Sequence, residues 1–88
     1  MALQSFLSRR AAREIDRIAG WAAANRPAAP GAVRKDLEAA FALLVEQPGL
    51  GSEVTEASSP GVRRFHVDRI RYWIYYRSRG KRLEVVSV

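Results

Sequence analysis

Two hydrophobic periodicities divide this chain. Up to Pro48 apolar residues recur at helical spacing, and beyond Pro60 they alternate as in strands. Leu3, Ser5 and Leu7 alternate with Ala2, Gln4 and Phe6 and predict a short first strand. Ser8 then precedes Arg9-Arg10-Ala11-Ala12 and suits a helix N-cap. Ala11, Ile15, Ile18, Ala19 and Ala22 give the following helix, Ser8 to Ala24, one apolar face. Arg9, Arg10, Arg13, Asp16 and Arg17 take the other, with Glu14 spaced to meet Arg17 and Trp21 between the faces.

Asn25 to Gly31 carries two prolines and breaks that helix. A second helix is expected from about Gly31 to Gln47, with Val33, Leu37, Ala40, Phe41 and Leu44 as its stripe. Leu43 and Val45 widen the stripe, which makes this the more buried helix. Pro48-Gly49-Leu50-Gly51 ends it. A short connection between two such helices implies an antiparallel hairpin.

Ser52 to Gly61 is polar and reads as a loop. Val62 to Asp68 is a strand, with Phe65 and Val67 on one face and Arg64, His66 and Asp68 on the other. Asp68 to Arg71 turns the chain. Tyr72 to Arg77 is a strand apolar on both faces, hence central. Ser78-Arg79-Gly80-Lys81 is a hairpin turn with glycine at positive φ, and Leu83 to Val88 is the last strand. The reading is one α+β domain over residues 1–88: an N-terminal strand and an α-helical hairpin packed on a C-terminal antiparallel sheet. Leu37, Phe41, Leu44, Ile15, Ile18, Phe65 and Ile74 are its expected core.

Charge changes the picture. The formal net charge is +6, with fifteen lysines and arginines. Pro60 to Arg82 holds eight of these cations and one carboxylate, Asp68, so the field is local to the strands. A concentrated positive field attracts polyanions or acidic protein segments. The plainer alternative is a solvated strand face that only aids solubility.

The chain has no cysteine, which excludes disulfides, thiolate metal sites and cysteine nucleophiles. It has no apolar run near the roughly 20 residues that span a bilayer, nor a signal-peptide pattern at its start. No membrane association and an intracellular, cytoplasmic location are expected. No cofactor or metal is expected either, since the one histidine, His66, builds no multi-histidine site. His66 is either a general base beside the basic patch or simply a partly exposed strand residue. Trp73, Tyr75 and Tyr76 beside Arg71 and Arg77 have the composition of a base-stacking surface, and equally that of sheet core. Tyr72, Ile74 and Tyr76 share one face of the strand, and Trp73, Tyr75 and Arg77 the other. Which set faces the helices is left open by the pattern.

The order of elements and several local patterns add to this. Ser8-x-x-Ala11 leads into Ile15-x-x-Ile18-x-x-Trp21 and Asn25-Arg26-Pro27-Ala28-Ala29-Pro30. Leu43-Leu44-x-x-x-Pro48-x-x-Gly51 is followed by Pro60-Gly61-Val62-Arg63-Arg64 and Tyr72-x-x-Tyr75-Tyr76-Arg77. Together they resemble the ParE branch of the RelE/ParE toxin family over nearly the whole chain. The resemblance implies the toxin of a type II toxin–antitoxin system that inhibits DNA gyrase and is neutralised by a cognate ParD-like antitoxin. The implied partner-binding residues are Arg63, Arg64, Arg69, Arg71, Trp73, Tyr75 and Arg77.

The RelE branch cleaves mRNA on the ribosome, which gives an alternative reading with Arg63, Arg64, His66 and Arg71 as the catalytic set. Trp73 stands where that branch carries an important arginine, so the expectation is a binding protein and not a ribonuclease. Both branches usually continue past the position of Val88 with a histidine- or arginine-containing tail. A shortened, non-toxic copy that only binds antitoxin is therefore a further reading. Direct nucleic-acid binding is compatible with all of these and required by none.

Overall fold

The computed structural model describes residues 3–25, 31–55 and 60–88. Along the chain run β1 (Gln4–Leu7), α1 (Arg9–Asn25), α2 (Ala32–Glu46), a 3-10 turn (Pro48–Leu50), β2 (Ser52–Glu53), β3 (Arg63–Val67), β4 (Tyr72–Arg79) and β5 (Arg82–Ser87). The expected break at Arg26–Pro30 and the stretch Glu56–Ser59 lie outside the described residues.

The strands form one sheet in the order β1-β5-β4-β3-β2. The three C-terminal strands make the antiparallel meander expected from their alternation. β1 joins the same sheet, parallel to β5, with Phe6 opposite Glu84 and Leu7 opposite Val85. The sheet is therefore mixed. One correction concerns Ser52 to Gly61, which is not loop throughout. Ser52 and Glu53 pair with Arg64 and Arg63 as a short edge strand, and Val54 N–H donates to the Val62 carbonyl at 2.9 Å. Two polar residues carry too little periodicity to be read as a strand; their pairing with β3 makes them one.

Ser8 joins the sheet to α1. Its Oγ accepts from Ala11 N–H at 3.0 Å, the N-cap bond expected of it. The same hydroxyl donates to the Val86 carbonyl at 2.8 Å, and Ser8 N–H donates to the Val85 carbonyl at 3.0 Å. The β4–β5 register slips here, with Tyr76 opposite Val85 and Tyr75 opposite Ser87. The bulge thus finds partners for two carbonyls in one capping residue. Glu14 does not meet Arg17. It accepts from Ser87 Oγ and Val88 N–H, each at 3.0 Å, and pairs with Arg10 at 3.5 Å. Its two shorter contacts come from the far end of the chain, which helical spacing cannot reveal.

α1 buries Ala11, Ile15, Ala19 and Ala22, and α2 buries Val33, Leu37, Ala40 and Leu44. Ile15 shares a hollow with Leu37 and Phe41, and Ala22 shares another with Val33, so the helices run antiparallel. Arg34 spans them with an exposed ion pair to Asp16 at 2.7 Å. α2 is the more enclosed of the two helices, as expected, although Leu43 points outward, 41 % exposed. Under the helices lie Val67, Ile74, Tyr76, Leu83 and Val85. Of the expected core, Ile15, Leu37, Leu44 and Ile74 are buried. Ile18, Phe41 and Phe65 are half-buried at its rim.

The parity question on β4 is answered by burial. Ile74 and Tyr76 turn to the helices, while Trp73 on the other face is 41 % exposed. Tyr76 is 1 % exposed, yet its hydroxyl is satisfied. It accepts from Gly51 N–H at 2.8 Å and donates to the Pro48 carbonyl at 2.7 Å. Gly51 has an ordinary φ of −73° and is required for space. A Cβ there would sit 2.5 Å from Tyr76 Oη and 2.7 Å from the Arg64 carbonyl.

Burial pushes the Tyr76 pKa above its usual value, opposed in part by the Gly51 N–H and the charge of Arg63. The folded state therefore holds the phenol proton more tightly than the unfolded chain. That contribution is complete below about pH 10 and is lost as pH rises through the folded pKa.

Two outcomes follow for stability. Leu44→Ala is expected to cost about 2–5 kcal/mol, and Phe41→Ala less because its ring is only half enclosed; denaturant melts of the two variants give the ranking. Tyr76→Phe should cost about 1–3 kcal/mol near neutral pH by leaving Gly51 N–H unpaired. It should also flatten the loss of stability above about pH 10, read from melting temperatures across that range.

Candidate functional site

A sheet covered on one face leaves the other to solvent. Parity along each strand decides what stands there. β3 contributes Arg64 and His66, and β4 contributes Trp73, Tyr75, Arg77 and Arg79. β5 adds Arg82 and Glu84, and β1 adds Gln4 and Phe6. The alternation that sends Ile74, Tyr76, Leu83 and Val85 into the core sends a cation-rich set outward.

Trp73, near the start of β4, gathers several side chains of this face. His66 is its cross-strand partner, with ring centroids 4.7 Å apart and planes tilted by 43°. The Arg64 guanidinium lies 4.6 Å from the Trp73 ring centroid, within cation–π range. Asp68 reaches back to His66 Nδ1 at 2.6 Å and fixes the imidazole from the turn. Farther along β4, Arg77 Nε donates to Glu84 at 2.7 Å, neutralising the carboxylate opposite it. Arg82 sits 5.7 Å from the Phe6 ring centroid. Among the described residues Arg64, Arg79 and Arg82 are in no ion pair.

The seven residues singled out as partner-binding are divided by the fold. Arg64, Trp73, Tyr75 and Arg77 share the open face. Arg63 has the opposite parity and clamps Gly51: its Nη1 donates to the Gly51 carbonyl at 2.7 Å, and Nη2 reaches Glu53 at 3.4 Å. Together with Tyr76 it satisfies both backbone polar groups of that residue. Arg69 and Arg71 belong to the β3–β4 turn. Arg69 reaches Asp36 on α2 at 3.7 Å. Arg71 has a left-handed backbone, φ 59°, unusual for a residue with a side chain. It lines a hollow with Trp21, Ile70 and Tyr72 at the end of the helical hairpin. The set Arg63, Arg64, His66 and Arg71 is likewise not gathered: only Arg64 and His66 stand together, both in contact with Trp73.

A second feature is apolar. Leu7, Ile15, Leu37 and Phe41 line a hollow of about 170 Å³ between β1 and the helices, with Ser5, Phe6, Arg34 and Glu38 at its margin. Leu7 is 41 % exposed within it. The sequence pattern missed this hollow because Leu7 reads as an ordinary strand residue. Only the position of β1 at the sheet edge leaves it uncovered.

Among the described residues, no group of three or more histidines and carboxylates is placed to hold a metal ion. No described helix is long and apolar enough to cross a membrane.

The result is a small α+β domain, basic on one sheet face and covered by a helical hairpin on the other. The class is given by comparison. The family model described as the ParE toxin of type II toxin-antitoxin system, parDE, matches residues 6–88. The chain belongs to that family, and it is a type II toxin–antitoxin toxin by class. A solved structure titled the chromosomal ParDE TA system from P. aeruginosa shares its fold. The TM-score is 0.79 at 20 % identity, over 98 % of this chain and 92 % of that one. No curated protein matches at a significant level.

The division of the arginines is directly testable. Arg63→Ala should lower stability by about 1–2 kcal/mol through the lost charged hydrogen bond to Gly51. Arg64→Ala should stay within about 0.5 kcal/mol, as for an exposed surface change. Chemical denaturation of the two single variants compares them.

Proposed function

We propose that this chain is a gyrase-directed ParE-type toxin, held inactive in the bacterial cytoplasm by a cognate ParD-like antitoxin. The observation that carries the reading is the family match over residues 6–88. The build of the molecule supports a mechanism by binding. The open face offers shape and field, with Trp73 exposed on it, and inhibition of a large target by occupancy needs no proton transfer. A RelE-type cleavage would need a base, an acid and charge at the transition state. Here Arg63 is committed to Gly51, and Trp73 stands in place of a cation.

The antitoxin's seat in this reading is the hollow lined by Leu7, Ile15, Leu37 and Phe41. An acidic amphipathic segment that folds on its partner would set apolar side chains there. Arg34 at the margin and the cations of the sheet would draw in its carboxylates. The field steers the encounter and the hollow retains the segment.

Purified chain added to a gyrase supercoiling assay should stop supercoiling, and cognate antitoxin should restore it. Ribosome-programmed mRNA in a translation extract should stay intact. Codon-specific cleavage that vanishes in His66→Ala would assign the chain to the nuclease branch instead. For the antitoxin, Leu7→Glu should weaken association at least tenfold, while Arg64→Glu with Arg71→Glu should chiefly slow association and flatten its salt dependence. Equal affinities for wild type and Leu7→Glu by calorimetry would rule out the hollow as the seat.

A further inference from the structure

The open sheet face carries a like-charge pair to which the toxin reading gives no specific contact. Arg79 and Arg82 stand directly opposite each other across the β4–β5 hairpin, and both are exposed. Like charges at paired positions repel. No carboxylate pairs with either among the described residues. Lys81 adds a third cation at the hairpin tip, beside Gly80 with its positive φ of 57°. Gln4, Ser5, Phe6 and Arg82 line a hollow of about 330 Å³ next to this cluster. The arrangement has the chemistry of an anion site: unpaired cations, a neighbouring amide and an adjoining hollow.

At the other end of the same strand stands Trp73, 41 % exposed after its contacts with Arg64 and His66. Tyr75 and Arg77 lie between. From Trp73 to Arg79 the strand covers roughly 20 Å at about 3.3 Å per residue. The face thus pairs an aromatic surface at one end with unpaired cations at the other, and Glu84 between them is neutralised by Arg77.

We infer that this face binds a short stretch of single-stranded nucleic acid, with a base stacked on Trp73 and phosphates on Arg64, Arg79 and Arg82. Two features select this ligand over others with negative charge. An exposed indole beside a guanidinium gains energy from a base face and has nothing to stack on in an acidic peptide. A duplex keeps its base faces within the stack, so only unpaired nucleotides use both ends of the site. The surface adjoins the hollow beside Leu7 and Phe41, with Ser5 and Phe6 bordering both, and the inference does not depend on the toxin's target.

The test uses the chain with Trp21→Phe, which leaves Trp73 as the only tryptophan. Oligothymidylate and oligouridylate are titrated at low salt while Trp73 fluorescence is followed, with a DNA hairpin duplex, heparin and polyglutamate in parallel. Both single strands should quench Trp73, and the arm that binds more tightly tells DNA from RNA. The logarithm of affinity should fall with the logarithm of salt at a slope of about −2, for three phosphate contacts at about −0.7 each. Trp73→Ala should weaken binding, followed by calorimetry, about tenfold or more, the effect of one base–aromatic stack. Arg82→Gln should reduce the salt slope by about 0.7 and raise the melting temperature of the free protein, because it removes the repulsion with Arg79. Circular dichroism checks that each variant is folded. Binding of duplex, heparin or polyglutamate as tight as that of the single strands would overturn the inference, as would absence of quenching at low salt. Unchanged affinity in folded Trp73→Ala would overturn it equally.

Discussion

Two short helices can cover one face of a five-stranded sheet and no more. This constraint organises the rest of the molecule. The covered face takes Ile74, Tyr76, Leu83 and Val85 and becomes the core. The uncovered face meets solvent, and its charged positions are arginines apart from Glu84, which Arg77 neutralises. Strand alternation couples the two, since each apolar residue sent inward sends its neighbours outward. The same fifteen or so residues therefore supply the packing that stabilises a small domain and the positive field on its open face.

A domain of this size has little core to spare, and its polar contacts are spent on holding the connections. Tyr76 and Arg63 hold the N–H and the carbonyl of Gly51, locking the exit of α2 to β3 and β4. Ser8 caps α1 and satisfies two carbonyls at the β5 bulge. Glu14 takes Ser87 and Val88. Each joint ties an element to a distant part of the chain, so the sheet cannot slip in register without breaking one of them. A rigid scaffold of this kind suits recognition by surface, because side chains on well-held strands keep their spacing while a partner settles.

The division of labour among the arginines matters for how such a protein is read. Arg63 and Arg64 are adjacent in sequence and opposite in role, one bound to the backbone of Gly51 and the other lying over Trp73. Charge counts treat them alike. A variant at Arg63 tests folding before it tests binding, whereas a variant at Arg64 tests the surface. Family membership gives the class of the protein, and these placements give the handles with which its partners can be dissected.

The local pattern determined a good deal by itself. Ser8 as a cap, the two helical stripes, the β3 alternation and the Gly80 turn all rest on interactions within a few residues, and the element order carried the family resemblance. What lies on two-residue β2, in the pairing of β1 with β5 and in the partners of Glu14 depends on residues brought together from distant parts of the chain. Composition showed a basic, aromatic strand but not which of its faces was free, because Tyr72 to Arg77 is apolar on both. Only the helices, by covering Ile74 and Tyr76, left Trp73, Tyr75 and Arg77 in the open. Only the fold withdrew Arg63 from the cationic face, because pleat parity turned it toward Gly51 while its neighbour turned to solvent.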